Sequence, residues 1–251
     1  ASRAVGVVSA LLSADQRPAY VADTRAEYDR LAQKHRDYEA DKQRTPLAVA
    51  RANRFSPDWS GYVPPRPSFL GTKVFESYDL GEIARYIDWT PFFQAWELKG
   101  RYPAILEDKV QGPAARQLWD DAQQMLAQVI QKNWFRPKAV IGFWPANQVG
   151  DDIRLFTDES RSAELAAMFT LRQQLGKSGG KAQLALADFV APEGTPDYVG
   201  GFVVTAGLQE TAIADRFERK NDDYSSILIK ALADRFAEAF AELMHERVRK
   251  E

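Results

Sequence analysis

The chain contains no cysteine, which excludes a disulfide framework and any thiolate metal site. It contains two histidines, His35 and His245, too few for a histidine-rich metal centre. No apolar run approaches the roughly 20 residues a helix needs to cross a bilayer. The formal net charge of -2 leaves no basic footprint for nucleic acid. No G-x-G-x-x-G follows a strand and no P-loop occurs; Gly179-Gly180 and Gly200-Gly201 read as turns. The serines have no convincing histidine partner, so a hydrolytic triad is not supported. The acidic pairs Asp120-Asp121, Asp151-Asp152 and Asp222-Asp223 read as turn or helix-face residues, with metal binding the lesser alternative.

What is present is an ordinary core. The chain has 251 residues, 45% hydrophobic and 27% charged, enough for one large domain. Residues 1–13 are small and apolar and read as an arm or linker, ahead of a domain over 14–251. Pro18 to about Lys42 reads as a charged helix, its thin apolar stripe (Tyr20, Tyr28, Leu31) packing along the body of the domain. Residues 57–67 are stiffened by proline and read either as a domain boundary or as a surface crossing, the second preferred because Trp59 and Tyr62 want burial. Residues 79–87 form a short helix leading into Asp88.

Pro113 to Lys132 is a strong amphipathic helix with Leu118, Ala122, Met125, Leu126, Val129 and Ile130 on one stripe. A hairpin follows. Ala139 to Phe143 is its first strand, Pro145 and Asn147 stop it, Gly150-Asp151-Asp152 turns the chain, and Ile153 to Phe156 restarts it. Ser160 to Leu175 reads as a helix. Leu184–Ala187 and Tyr198–Thr205 read as strands. A helix over about Leu208–Glu218 precedes a long terminal helix from about Asp222, with Tyr224, Leu228, Leu232, Phe236, Phe240 and Leu243 as its buried stripe. Mixed elements without βαβ alternation predict an α+β fold with a central, largely antiparallel twisted sheet flanked by helices. The first residues carry no initiator methionine, and the last turn, His245–Glu251, has no stop signal. Both ends read as the edges of an excised piece.

Four carboxylates could carry function. Asp88 stands between Ile87 and Trp89, ahead of Thr90-Pro-Phe-Phe93, and reads either as a helix N-cap or as a ligand group. Asp234 and Glu238 are four apart, hence neighbours on one face of the terminal helix; a solvated acidic face is the plain reading. Glu210 opens a helix, where the dipole alone favours an acid.

Four segments together resemble the activation domain of cobalamin-dependent methionine synthase. They are Tyr86-Ile-Asp-Trp-Thr-Pro-Phe-Phe93, Ala139 to Phe156, Leu186-Ala-Asp-Phe-Val-Ala-Pro192, and Asp222-Asp-Tyr224 with Lys230 to Phe240. The resemblance implies an S-adenosylmethionine-binding module of a methyltransferase that makes methionine from homocysteine and methyltetrahydrofolate in the cytoplasm. Cobalamin and zinc would sit in other domains. It implies that Asp88 holds the amino group of S-adenosylmethionine and that Glu238 lies beside that ligand. Asp234 and Glu210 would meet the cobalamin-binding domain of the same polypeptide, and a flavodoxin-type reductase would supply an electron. No catalytic residue is implied in this domain. The Pro145-Ala-Asn147 corner becomes a candidate rim of the interdomain surface.

The family's Arg-x-x-x-Gly-Tyr motif does not occur within 1–251, so the domain reads as incomplete at its C-terminus. Residues 1–251 alone are expected to bind S-adenosylmethionine weakly or not at all, because an arginine–carboxylate contact is strong. The rival reading is a protein-docking module, for the reductase or the cobalamin domain, without a ligand of its own. A stand-alone methyltransferase lacks the glycine-rich loop it would need.

Overall fold

A computed structural model describes residues 2–40 and 44–251. Its helices are α1 (Ser2–Leu12), α2 (Arg17–Ala40), α3 (Leu47–Ala52), α4 (Leu80–Ala84), α5 (Thr90–Ala95), α6 (Gly112–Gln131), α7 (Gln209–Glu218) and α8 (Asp223–Val248). Its strands are β1 (Gly71–Phe75), β2 (Lys138–Val149), β3 (Asp152–Phe156), β4 (Glu164–Phe169) and β5 (Asp197–Thr205). The chain forms two compact units, Ala1–Asp58 with Phe169–Phe189, and Trp59–Met168 with Val190–Glu251.

The larger unit holds the sheet and the core. The strand order is β1-β2-β3-β4, with β5 also on β2. β2 pairs antiparallel with β1, β3 and β5, so this is the α+β architecture with an antiparallel sheet that the element pattern predicts. α8 is the main helical support. Leu228, Ile229, Leu232, Phe236, Phe240, Leu243 and Met244 bury its inner face, and Phe135 meets Phe236 edge-on at 5.4 Å. Asp222 caps α8 by accepting the Ser225 N–H at 3.0 Å. Tyr224, expected on the buried stripe, is instead 43% exposed. Its hydroxyl donates to Asp121 at 2.7 Å and its ring lies 5.3 Å from Trp96. α6 buries Leu118, Ala122, Met125, Leu126 and Val129, as its spacing requires.

β2 does not stop at Pro145. It runs on through Ala146 and Asn147 to Val149. The last rung with β1 is Gly71–Phe143 and the first with β3 is Ala146–Leu155. Pro145 therefore falls where β2 changes neighbours on that side, and its missing N–H breaks neither of those two ladders. Gly150, at φ 67°, makes the turn into β3.

The sharpest departure is 160–175. Glu-Leu-Ala-Ala-Met-Phe is helix-favouring by residue type, yet it forms β4 beyond β3. Arg154 on β3 reaches Glu164 at 3.4 Å across that edge. Sheet pairing overrides a weak local propensity here. A readable signal precedes it: Asp158 accepts from both the Ser160 N–H and hydroxyl, an Asx turn that opens no helix. Leu184–Ala187 is likewise not a strand; the chain is irregular there and then forms a 3₁₀ turn at Leu186–Phe189. In the crossing at 57–67, Tyr62 is exposed and Trp59 half-buried, their rings 5.9 Å apart.

The smaller unit contains α1, α2 and α3. Residues 2–12 are helical. α2 buries none of its residues, and Tyr28 and Leu31 of its apolar stripe are exposed. The predicted end of that helix at Lys42 lies outside the described residues. Arg172 and Asp188 form a buried bidentate pair, Nη1 to Oδ2 at 2.8 Å and Nη2 to Oδ1 at 2.6 Å. Arg172 also donates to the Gln183 carbonyl, and Asp188 accepts the Ala185 N–H. This pair ties 172 to 183–188 in place of the expected helix and strand.

Candidate functional site

Asp88 lies in the short link between α4 and α5. Ile87 and Trp89 on either side are buried while Asp88 is exposed. Anchoring alternate side chains inward turns the carboxylate outward. Oδ1 of Asp88 accepts the Thr90 N–H at 2.9 Å; this is a local Asx-type turn and not the expected helix N-cap, because Trp89 holds the N-cap position of α5 and makes no side-chain capping bond. Behind the link is an aromatic stack: Trp89 and Trp119 at 4.8 Å, Tyr102 and Trp119 at 4.7 Å, Phe93 and Tyr102 at 6.2 Å. The Tyr102 N–H donates to the Thr90 hydroxyl at 3.2 Å.

Asp234 and Glu238 are exposed on α8. They belong to a ridge of residues spaced by four: Ser226, Lys230, Asp234, Glu238, Glu242, Glu246, Lys250. Its two ends are pinned. Near the start, Ser226 and Lys230 both donate to Glu218 on α7, at 2.8 and 2.9 Å. The Glu218 carboxyl is held below its ordinary range, first by the bond from Lys230 and then by that from Ser226. The Lys230 ammonium is raised by Glu218, with Asp215 and Glu210 adding to it.

Near the end of the ridge, the Tyr86 hydroxyl donates to Glu246 Oε2 at 2.7 Å, and Lys250 donates to Oε1. The Glu246 carboxyl is held low by Lys250 first and Tyr86 second, and the Tyr86 hydroxyl is raised by Glu246. Hollows of about 290 and 410 Å³ lie against this bridge, both lined by Tyr86, Glu246 and Lys250. Glu210, in the first turn of α7, accepts from the Thr211 hydroxyl at 2.8 Å.

The four predicted residues thus fall into two groups. Glu210 on α7 acts on the Lys230 ammonium, and Asp234 stands one i,i+4 step beyond Lys230 on α8. Asp88 and Glu238 sit on elements joined by Tyr86 and Glu246, without a hydrogen bond of their own to each other. Tyr86 is within the quoted motif, but its partner lies 160 positions away, which no spacing rule reveals. Among the described residues, no group of three or more His, Asp or Glu could hold a metal ion.

The Trp144 corner is built as scaffold. Nδ2 of buried Asn147 donates to the Ala191, Pro192 and Thr195 carbonyls at 3.2, 3.0 and 2.8 Å. Its oxygen accepts from Arg161 Nε at 2.9 Å, and Arg161 reaches the Asp197 carbonyl at 2.9 Å. The Trp144 ring lies over Gly142, where a Cβ would meet Cζ2 and Cζ3 at 2.9 Å; only glycine admits that contact. A third hollow, about 540 Å³, is lined by Arg66, Phe143, Tyr198 and Arg249 among others.

These features define the class: an α+β domain whose antiparallel sheet is backed by a long helix and whose outer surface carries acidic side chains. The chain belongs to the family described as vitamin B12 dependent methionine synthase, activation domain, which matches residues 79–251. A crystal structure of the MetH reactivation domain bound to AdoHcy is similar to it, with 49% sequence identity and a TM-score of 0.78. The similarity covers 82% of this chain and 64% of that one.

Proposed function

We propose that this domain holds S-adenosylmethionine and presents its methyl group to oxidised cobalamin, so that reductive remethylation restores a methionine synthase. The observation that carries this reading is the 49%-identical reactivation domain bound to AdoHcy, the demethylated form of that ligand. The Asp88 carboxylate receives the ligand's amino group, with Glu238 beside it. Glu210 and Asp234 receive the cobalamin domain of the same polypeptide. A flavodoxin-type reductase supplies one electron, the sulfonium methyl group is transferred, and S-adenosylhomocysteine leaves. The domain contributes orientation rather than acid–base chemistry. Cobalamin and zinc belong to other domains, and the setting is cytoplasmic.

The test is reactivation in a methionine synthase polypeptide carrying this chain, following S-adenosylhomocysteine release under reducing conditions. D88N and E238Q are each expected to slow it at least tenfold, because each removes a charged contact worth about 1.5–3 kcal/mol. Rates equal to the unsubstituted protein would overturn the assignment.

A further inference from the structure

We infer that Tyr86 is a positioning residue, which sets Asp88 relative to Glu238 through its hydrogen bond to Glu246; this rests on the ligand reading above. Asp88 sits in a link only five residues long between α4 and α5, and that link is exposed at Asp88 itself. Ile87 and Trp89 fix its depth by burial. Burial of apolar side chains is non-directional and does not fix a loop's position along a helix. The Tyr86–Glu246 bond supplies that direction, at 2.7 Å from a hydroxyl to a carboxylate. It acts two residues from Asp88. On α8, Glu246 stands two i,i+4 steps beyond Glu238, about 12 Å along the axis at 1.5 Å per residue.

The acceptor is itself held. Lys250 takes the other carboxylate oxygen, so Glu246 presents Oε2 to Tyr86 in one orientation. The groups facing this bridge are Glu82 and Tyr78 from the α4 side and Glu242, His245, Arg247, Arg249 and Lys250 from the α8 side. Nearby hollows leave room for the tyrosine ring to swing once its bond is lost. The link would then keep its depth and lose its register against α8.

The experiment measures KM for S-adenosylmethionine and kcat for reactivation in the methionine synthase polypeptide carrying this chain, for Y86F, E246A, E246Q, D88N and Y86F/D88N. Y86F and E246A are expected to raise KM about fivefold with kcat and melting temperature kept, since one charge-assisted bond is lost. E246Q, which keeps one acceptor oxygen but loses the charge and the second acceptor held by Lys250, is expected to fall between the unsubstituted protein and E246A. Y86F/D88N is no worse than D88N, because Tyr86 acts through Asp88. Unchanged KM in Y86F beside an impaired D88N overturns the positioning role alone. Multiplied penalties in the double variant overturn it as well, by giving Tyr86 an independent role. An unimpaired D88N overturns the ligand reading first and this inference with it.

Discussion

Asn147 offers the most stringent test of how the Trp-Pro-Ala-Asn corner works as a structure. Its side chain is 2% exposed and spends two amide hydrogens on three carbonyl oxygens, those of Ala191, Pro192 and Thr195. Its oxygen takes Arg161. N147D keeps the shape and the bond from Arg161, so it isolates the three carbonyl contacts. Each such bond is worth about 1 kcal/mol net, and a buried group left unpaired costs 1–3 kcal/mol. N147D is therefore expected to lose about 3 kcal/mol. N147A, which also strands Arg161, is expected to lose about 4 kcal/mol on the same basis. Urea unfolding followed by tryptophan fluorescence reads this directly, because Trp59, Trp89, Trp96, Trp119, Trp134 and Trp144 all lie in the larger unit. With a slope near 2 kcal/mol per molar, the midpoint moves down by about 1.5–2 M. A loss below about 1 kcal/mol for N147D would refute the claim that Asn147 clamps 191–195 to β2.

Four other outcomes follow from the same reasoning. D188A leaves the buried Arg172 guanidinium without its carboxylate partner and is expected to cost about 3–5 kcal/mol; hydrogen exchange at the Ala185 amide, which donates to Asp188, is the readout, because fluorescence does not see that unit. G142A places a Cβ against the Trp144 ring and is expected to cost about 1–3 kcal/mol with a shifted Trp144 emission. The Tyr224 hydroxyl is pushed up to about 12, by burial first and then by Asp121. A raised folded value keeps the proton on the folded state, so stability is full below the unfolded value near 10 and falls as pH rises from about 10 to 12. Y224F is expected to flatten that alkaline fall in melts taken between pH 9 and 12, and an identical profile would count against it. Isothermal titration of residues 1–251 with S-adenosylmethionine is expected to show no micromolar binding, since no Arg-x-x-x-Gly-Tyr lies within them.

What the sequence made legible was whatever repeats at a fixed interval. α6 and α8 announce themselves by apolar residues three and four apart, and the hairpin by Gly150 between β-branched runs. Local signals were overridden elsewhere. Residues 164–169 favour helix one by one, but a sheet edge was available and pairing decided. Pro145 looks like a stop, yet it falls where β2 exchanges one neighbour for another. α2 has an apolar stripe too thin to bury. Asp88 was legible as a residue beside the start of α5, though it stands one position before the cap, and its motif was legible as a family signature. Its tie to the terminal helix was not, because Tyr86 and Glu246 are brought together only by the packing of α4 on α8. The Arg172–Asp188 pair was illegible for the same reason: two ordinary charged residues in segments that pattern assigned to other structures.

β2 pairs with three strands, and this has a kinetic consequence. Only its rungs with β3 are local, closing at Val149 and Asp152. Its rungs with β1 and β5, such as Phe75–Ala139 and Lys138–Thr205, join residues on the order of 60 positions apart and must pay loop-closure entropy before they gain anything. The β2–β3 hairpin should therefore form early and wait. Refolding of the larger unit should be limited by the arrival of two distant strands on either side of one already-made template.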